Sequence, residues 1–272
     1  MANTSVRADA PTDGEDRVYH LRLRKGEIPP YVVLTGDPAN TEKIAGHWTG
    51  SHQLAYNREY RTFSGTYDGL PLASTSTGIG CQSSELVINE LVKVGGKLCI
   101  KVGNASSIDP KLSLGDLVIP MASMRKGGSA DLYVQPEYPA FPDISITKAL
   151  MMACDKLNYK YTLAVNYSVS SFYIGQGRPM TSDGSGYWPS WAEKIVEDLQ
   201  MANISTIDMD TAGQCIVSFL HRMRYGAILA INNDRLKDTW GDNGGFDKAT
   251  LVASEAMKIL ADWDSKGLAE EL

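Results

Sequence analysis

Leu98-Cys-Ile-Lys-Val-Gly-Asn-Ala-Ser-Ser107 decides the reading of this chain. Its first six residues have the β-rich, apolar composition of a buried strand, and they close on the polar, glycine-led segment Gly103 to Ser107. Working outward toward the N-terminus, Ser83 to Val94 carries Leu86, Val87, Leu91 and Val94 at helical spacing. Before that come a strand at Leu70 to Thr77, ending in Gly78-Ile-Gly80, a short helix at Ala39 to Gly46, and a strand at Tyr31 to Gly36. Toward the C-terminus the strands are Asp116 to Met121, Leu163 to Ser170, Ile204 to Met209 and Gly226 to Asn232. Helical patterns cover Ile144 to Leu157, Trp188 to Met201, Thr211 to Tyr225 and Lys248 to Trp263. Alternation of this kind predicts one α/β domain whose sheet is mainly parallel and covered by helices on both faces. In such folds ligands collect at the C-terminal ends of the strands. The glycine-rich and polar segments fall there, at Gly36 to Pro38, Thr77 to Gly80, Gly103 to Ser107, Phe172 to Arg178, Asp208 to Asp210 and Asn232 to Arg235.

Composition narrows the function. The 272 residues are 43% hydrophobic, enough for a substantial core, and 26 basic against 32 acidic side chains leave a net charge of −6. That balance argues against a nucleic-acid-binding surface, which needs a surplus of Lys and Arg. No apolar run approaches the ~20 residues that cross a bilayer, so no membrane partner is expected. Residues 1–16, polar and without an apolar core of the secretory kind, read as a disordered solvated tail ahead of a domain at 17–272. The four cysteines form no CxxC pair and read as reduced thiols of a cytoplasmic protein. No set of ligands stands at metal spacing, and no metal or cofactor is expected.

Val18-Tyr-His-Leu21, Thr35-Gly-Asp-Pro38, Ala55-Tyr-Asn-Arg-Glu-Tyr60, Ser76-Thr-Gly-Ile-Gly80, Ser171-Phe-Tyr-Ile-Gly-Gln-Gly-Arg178 and Asp208-Met-Asp210 occur in the order found in nucleoside phosphorylases. From about Val18 to the C-terminal helix the chain resembles that family, most closely its uridine phosphorylase branch. The resemblance implies a single α/β domain around a twisted, partly barrel-like mixed sheet flanked by helices. It further implies a homodimer as the minimal unit, associating into hexamers, and cleavage of a pyrimidine N-ribosidic bond by phosphate to give free base and ribose 1-phosphate. Such a reaction passes through an oxocarbenium-like sugar while negative charge builds on the departing base. Groups that hold the ribose, place a nucleophile and donate to the base are therefore required, and a covalent nucleophile is not.

On that resemblance Gln176 and Arg178 read the base, with Phe172 against its ring. Asp210 and Met209, with Asp208, hold the sugar. Tyr19 and His20 reach the 5′-hydroxyl in a neighbouring subunit. The family's two Glu at this strand end are Asp here, one methylene shorter each. The phosphate site departs further: Gly36 stands, but Asn40, Lys101 and Asn104 replace two arginines and a threonine, and Arg58 alone keeps the arginine lent across the dimer. Each lost charge-assisted bond costs about 1.5–3 kcal/mol. Two alternatives therefore stay open, a phosphate-independent nucleosidase or altered glycosyl-transfer enzyme and a catalytically weak nucleoside-binding homologue. Purine members carry a catalytic Asp where Asn232 stands, and Asp234 with Arg235 reads as a structural pair.

Overall fold

The computed structural model describes residues 8–13 and 15–268. The strands are β1 Tyr31–Thr35, β2 Thr49–Asn57, β3 Tyr60–Tyr67, β4 Leu70–Ser76, β5 Leu98–Ser107, β6 Leu117–Lys126, β7 Tyr161–Val169, β8 Ile204–Asp208, β9 Arg224–Asp234 and β10 Thr239–Trp240. The helices are α1 Pro38–Gly46, α2 Cys81–Val94, α3 Ala130–Tyr133, α4 Ile144–Leu157, α5 Ser190–Glu193, α6 Ile195–Met201, α7 Thr211–Leu220 and α8 Gly245–Ser265. All ten strands join in one sheet of order β10-β9-β6-β7-β8-β5-β1-β4-β3-β2. An additional pairing of β9 with β5 closes β9, β6, β7, β8 and β5 into a five-stranded barrel. The sheet is mixed, as the resemblance implies. The strand-helix alternation by itself predicts a mainly parallel sheet, and this is corrected: β5–β8, β6–β9, β2–β3, β3–β4 and β9–β10 are antiparallel.

Strand β5 organises the arrangement. Along one edge it pairs with β9 from Leu98 to Ser107. On the other edge its first residues, Leu98 to Lys101, pair with β1, while Ser106 and Ser107 pair with β8. The sheet therefore forks between Lys101 and Ser106, and the fork leaves room for a cavity. Alternation along the strand places Leu98, Ile100 and Val102 in a core with α8 residues such as Val252, Ala256 and Leu260. Cys99, facing the other way, packs in a second core with Ile88, Leu91 and Ile216. Lys101 falls on that second face, where the pattern calls for an apolar side chain.

Several boundaries differ from the sequence reading. Gly103 to Ser107 continues the strand instead of turning, because β9 supplies hydrogen-bond partners along the whole length. The helix expected at Trp188 to Met201 is two pieces broken at Lys194, and the one expected to reach Tyr225 stops at Leu220. The β2–β3 hairpin escapes sequence reading because β2, TGSHQLAYN, is largely exposed on the sheet edge and shows no alternation of apolar residues. Its turn holds Arg58 at φ 55°, a left-handed conformation that costs a non-glycine residue about 1–2 kcal/mol. Of the proposed N-terminal tail, residues 1–7 and 14 lie outside the described residues. Within the remainder, Thr12 bridges Val18 and the Asp13 carboxylate accepts from Arg17 and lies 3.3 Å from Arg22.

The first turns of α2 and α7 meet at Gly213, where an added Cβ would stand 2.0 Å from Cys81 Sγ. Gly213→Ala is expected to cost about 1–3 kcal/mol in urea unfolding through overpacking. Cys81→Ala in the same chain should recover part of the loss, because Cys81 Cβ, 2.8 Å from the new methyl, remains. Full additivity of the two changes would show that the helices do not meet there.

Candidate active site

The fork in the sheet opens on a cavity of about 690 Å³. Its wall is built from strand ends: Thr35 at the end of β1 and Gly36 after it, Gly78 to Gly80 between β4 and α2, Gly103 to Ser106 in β5, Ile207 and Asp208 at the end of β8 with Met209 and Asp210 after them, and Asn232 and Asn233 in β9. Phe172 and Gln176 close one end from the loop after β7, and Glu59 enters from the β2–β3 turn. Of the residues expected at the site, Gly36, Asn40, Lys101, Asn104, Phe172, Gln176, Asp208, Met209 and Asp210 all line it. Arg178, Arg58, His20 and Tyr19 do not.

The centre of the wall is a buried ion cluster. Lys101, 3% exposed, directs its ammonium to Asp208 Oδ2 at 2.6 Å, to Asp210 Oδ1, and to Thr211 Oγ1 at 2.9 Å. An ammonium has three donors, so these three acceptors use them all. The side chain reaches them by folding over Gly103, where a Cβ would lie 2.6 Å from Lys101 Cε. This geometry sets Lys101 apart from the phosphate role the resemblance gives it, since no N–H is left for an anion.

The two carboxylates differ. Asp208 accepts from Asn166 Nδ2 at 2.8 Å, from the Thr211 amide at 3.2 Å, from the Thr211 hydroxyl and from Lys101, which fills its lone pairs. Burial pushes its carboxyl up, but the charge and hydrogen bonds of Lys101 more than offset this and hold it below the usual range. Asp210 accepts from Lys101 and from Gln214 Nε2 at 3.0 Å, leaving acceptor capacity toward the cavity. Burial raises its carboxyl above the ordinary range, and the nearby charge of Asp208 adds to the rise against the pull of Lys101. Asp208 is thus saturated by protein donors, and Asp210 is the carboxylate with acceptor capacity left for a ligand.

At the other end Gln176 is 2% exposed, and its Oε1 is buried without a hydrogen-bond partner among the described residues. Arg178 stands one layer behind the wall. Its guanidinium lies 4.5 Å from the Phe172 ring centroid and donates through Nη2 to Ser106 Oγ at 3.0 Å and Asn233 Oδ1 at 3.1 Å, while Nε is buried and unpartnered. Burial, aided by the like charge of Arg235, pushes Arg178 down to about 10. Ser106 and Asn233, which the sequence reading placed in the strand-end segments without a role of their own, link this cation to the cavity wall.

Tyr19, His20 and Arg58 form a separate cluster. The Tyr19 ring lies under the guanidinium groups of Arg22 and Arg58 at 5.2 and 5.7 Å. Glu90 accepts from the His20 amide and ring Nδ1 and from the Leu21 amide, which fixes the ring with Nε2 turned away from that carboxylate. The expected Asp234–Arg235 pair does not form: Asp234 pairs with Lys237 at 2.9 Å, and Arg235 binds main-chain carbonyls. Asn166, Gln214 and Thr211 were also missed, although an asparagine inside the apolar strand Leu-Ala-Val-Asn-Tyr is a visible anomaly. Cys81, Cys99, Cys154 and Cys215 are buried and unbridged. No group of three or more His, Cys, Asp or Glu is poised to hold a metal among the described residues, and no helix there is long and apolar enough to cross a membrane.

Comparison with known proteins agrees with the fold. The Phosphorylase superfamily profile matches residues 30–262, and the chain belongs to that family of enzymes. It is 38% identical over 266 residues to a uridine phosphorylase of Thermococcus kodakarensis, covering 98% of this chain and 95% of the relative. A Treponema pallidum uridine phosphorylase is 32% identical, over 92% of this chain and 96% of its own. The structure of a Toxoplasma gondii purine nucleoside phosphorylase with immucillin-H superposes with a TM-score of 0.79 at 28% identity, covering 89% of this chain and 96% of that one.

The ion cluster makes a testable stability claim. Lys101→Met is expected to destabilise the fold at neutral pH by about 3–5 kcal/mol, because two buried carboxylates lose their cation. In that variant the desolvated carboxyls have folded pKa values above their unfolded ones, so the native state binds more protons. Its deficit should shrink as pH falls through the raised values toward the ordinary Asp range. Urea unfolding at about pH 8 and about pH 5 checks the sign, and a deficit that grows with acid overturns it.

Proposed function

We propose that the protein cleaves the N-ribosidic bond of a pyrimidine nucleoside, uridine or a close relative, by phosphorolysis. The observation that carries the base assignment is Gln176 Oε1, a buried acceptor lacking an internal partner and set in the cavity wall. An unmet buried acceptor is costly and selects a ligand that brings an N–H to it. Arg178, whose Nη2 donates to Ser106 and Asn233 and whose Nε is buried without a partner among the described residues, adds positive charge behind the wall, which suits a carbonyl oxygen. An N–H next to a C=O is the edge of uracil and not of cytosine. Asn232, where purine members carry Asp, and the two uridine phosphorylase relatives support the pyrimidine choice.

The sugar sits against Met209 with its hydroxyls donating to Asp210, and no cofactor takes part. Phosphate enters at Gly36, Asn40 and Asn104, and Arg58 of a second copy neutralises it. Lending Arg58 and His20 across an interface makes a homodimer the smallest active unit. Because Lys101 spends its donors on carboxylates, a second reading has a specific observation behind it, in which water replaces phosphate and ribose is released.

Incubation with uridine and phosphate should yield uracil and ribose 1-phosphate. Equal turnover to free ribose without phosphate would favour the hydrolytic reading, and saturable binding without turnover would leave a binding protein. Cytidine should be cleaved far more slowly. Gln176→Ala should lower kcat/KM for uridine about 10²–10³-fold, and a variant within twofold of the parent would remove Gln176 from the base site. Asn40→Arg, which adds a guanidinium at the anion end, should lower the KM for phosphate about tenfold, the worth of one charge-assisted bond. An unchanged phosphate KM counts against that placement.

A further inference from the structure

Asp210 stands immediately before α7, where an aspartate ordinarily turns back to accept from the amides of the first helical turn. Its carboxylate makes no such bond. In that turn the Thr211 amide goes to Asp208, and the Ala212 amide goes to Ser168 Oγ at 3.2 Å. The Asp210 carboxylate lies instead between Lys101 Nζ and Gln214 Nε2, the latter at 3.0 Å. Residues four apart share one face of a helix, so Gln214 reaches Asp210 from one turn further along α7.

Gln214 is buried, and its amide has one workable orientation. A carboxylate only accepts, so the NH2 end must face Asp210, and Oε1 on the far side accepts from the Tyr225 hydroxyl at 3.0 Å. Burial in β9 pushes the Tyr225 phenol well above its ordinary value, which keeps its proton in place to donate. Three side chains thus run in line from the barrel through α7 to the cavity wall. Neither Gln214 nor Tyr225 lines the cavity, so both reach a ligand only through Asp210.

This line fixes which lone pairs Asp210 presents. Lys101 occupies one on Oδ1 and Gln214 one on Oδ2, and a carboxylate oxygen has two, so one on each oxygen remains. Two adjacent acceptors match the two neighbouring hydroxyls of a ribose. Held by Lys101 alone, the carboxylate could rotate toward the amides of α7, cap the helix and turn from the cavity. We propose that Gln214, held by Tyr225, is the positioning residue that keeps Asp210 turned to the cavity, and that it thereby selects a sugar carrying both the 2′- and 3′-hydroxyls. The inference rests on the reading that Asp210 holds the ribose. A residue that only stabilised the fold would affect every sugar alike.

The test compares uridine with 2′-deoxyuridine. Gln214→Met, which keeps the length and bulk and removes the amide, should lower kcat/KM for uridine about 10–100-fold, the worth of a hydrogen bond to a charged group. The loss for 2′-deoxyuridine should be several-fold smaller, so the preference for uridine narrows. Tyr225→Phe should narrow it in the same direction and by less, and should bring no further narrowing once Gln214 is Met, because the line is already cut. Equal losses for the two substrates, no loss, or full additivity of the two changes in the preference overturns the proposal. A crystal structure of Gln214→Met supplies a second readout without substrate. The Asp210 carboxylate should swing from the cavity wall toward the first turn of α7, and an unmoved carboxylate refutes the positioning whatever the kinetics. Asp210→Ala measured alongside separates the two levels. If it leaves uridine kinetics unaltered while the carboxylate still swings in Gln214→Met, the sugar-site reading has failed and the positioning has not.

Discussion

The ammonium of Lys101 between two buried carboxylates is the interaction on which the site depends. A lone charge at that depth would be untenable, and so would either aspartate, because the cost of desolvation in a low-dielectric interior is several kcal/mol per ion. Together, with Thr211, Asn166 and Gln214 filling the remaining donors and acceptors, they form a satisfied network. The network extends through Gln214 to the hydroxyl of Tyr225 and through Asn166 to Thr206, so it runs from the cavity deep into the barrel. Such a network ties the ends of β5, β7, β8 and α7 to one another by direction-dependent bonds, where apolar packing alone would leave their relative height free.

That arrangement also changes how the departures from family pattern are understood. Taken one at a time, shorter acids at 208 and 210 and a lysine at 101 read as a damaged site. In three dimensions they fit each other. The shorter aspartates stay in the cavity wall, and the long lysine stem bends over Gly103 to meet them. What this leaves at the anion end is a set of neutral donors, Asn40, Asn104 and the glycine-rich bend, with Glu59 nearby. Arg58, held beside Tyr19 on a left-handed turn, lies outside this wall.

Much of the fold was legible because its buried elements carry strong periodicity. Helix α4 spans Ile144 to Leu157 as read, and β1, β4, β7, β8 and β9 begin and end within two residues of the reading, whereas β5 and β6 run on to Ser107 and Lys126, well past the ends read for them. Strand β2 was illegible for the opposite reason, being largely exposed and polar on the sheet edge. The closure of the barrel could not be read from local pattern at all, since it depends on β5 meeting β9 across more than a hundred residues. At the site, motif order located nine residues on one wall. It could not show that Lys101 is saturated, that Arg178 stands behind Phe172, or that Arg235 binds main-chain carbonyls. Those facts depend on side-chain reach, which neither spacing nor residue type encodes.

The close meeting of Cys81 with Gly213 has a mechanical meaning. Cys81 begins the helix that follows the Gly78–Gly80 bend, and Gly213 lies in the first turn after Asp210. With no slack between them, the Gly78–Gly80 bend and the Asp208–Asp210 wall cannot draw closer to one another, so this side of the cavity keeps its width.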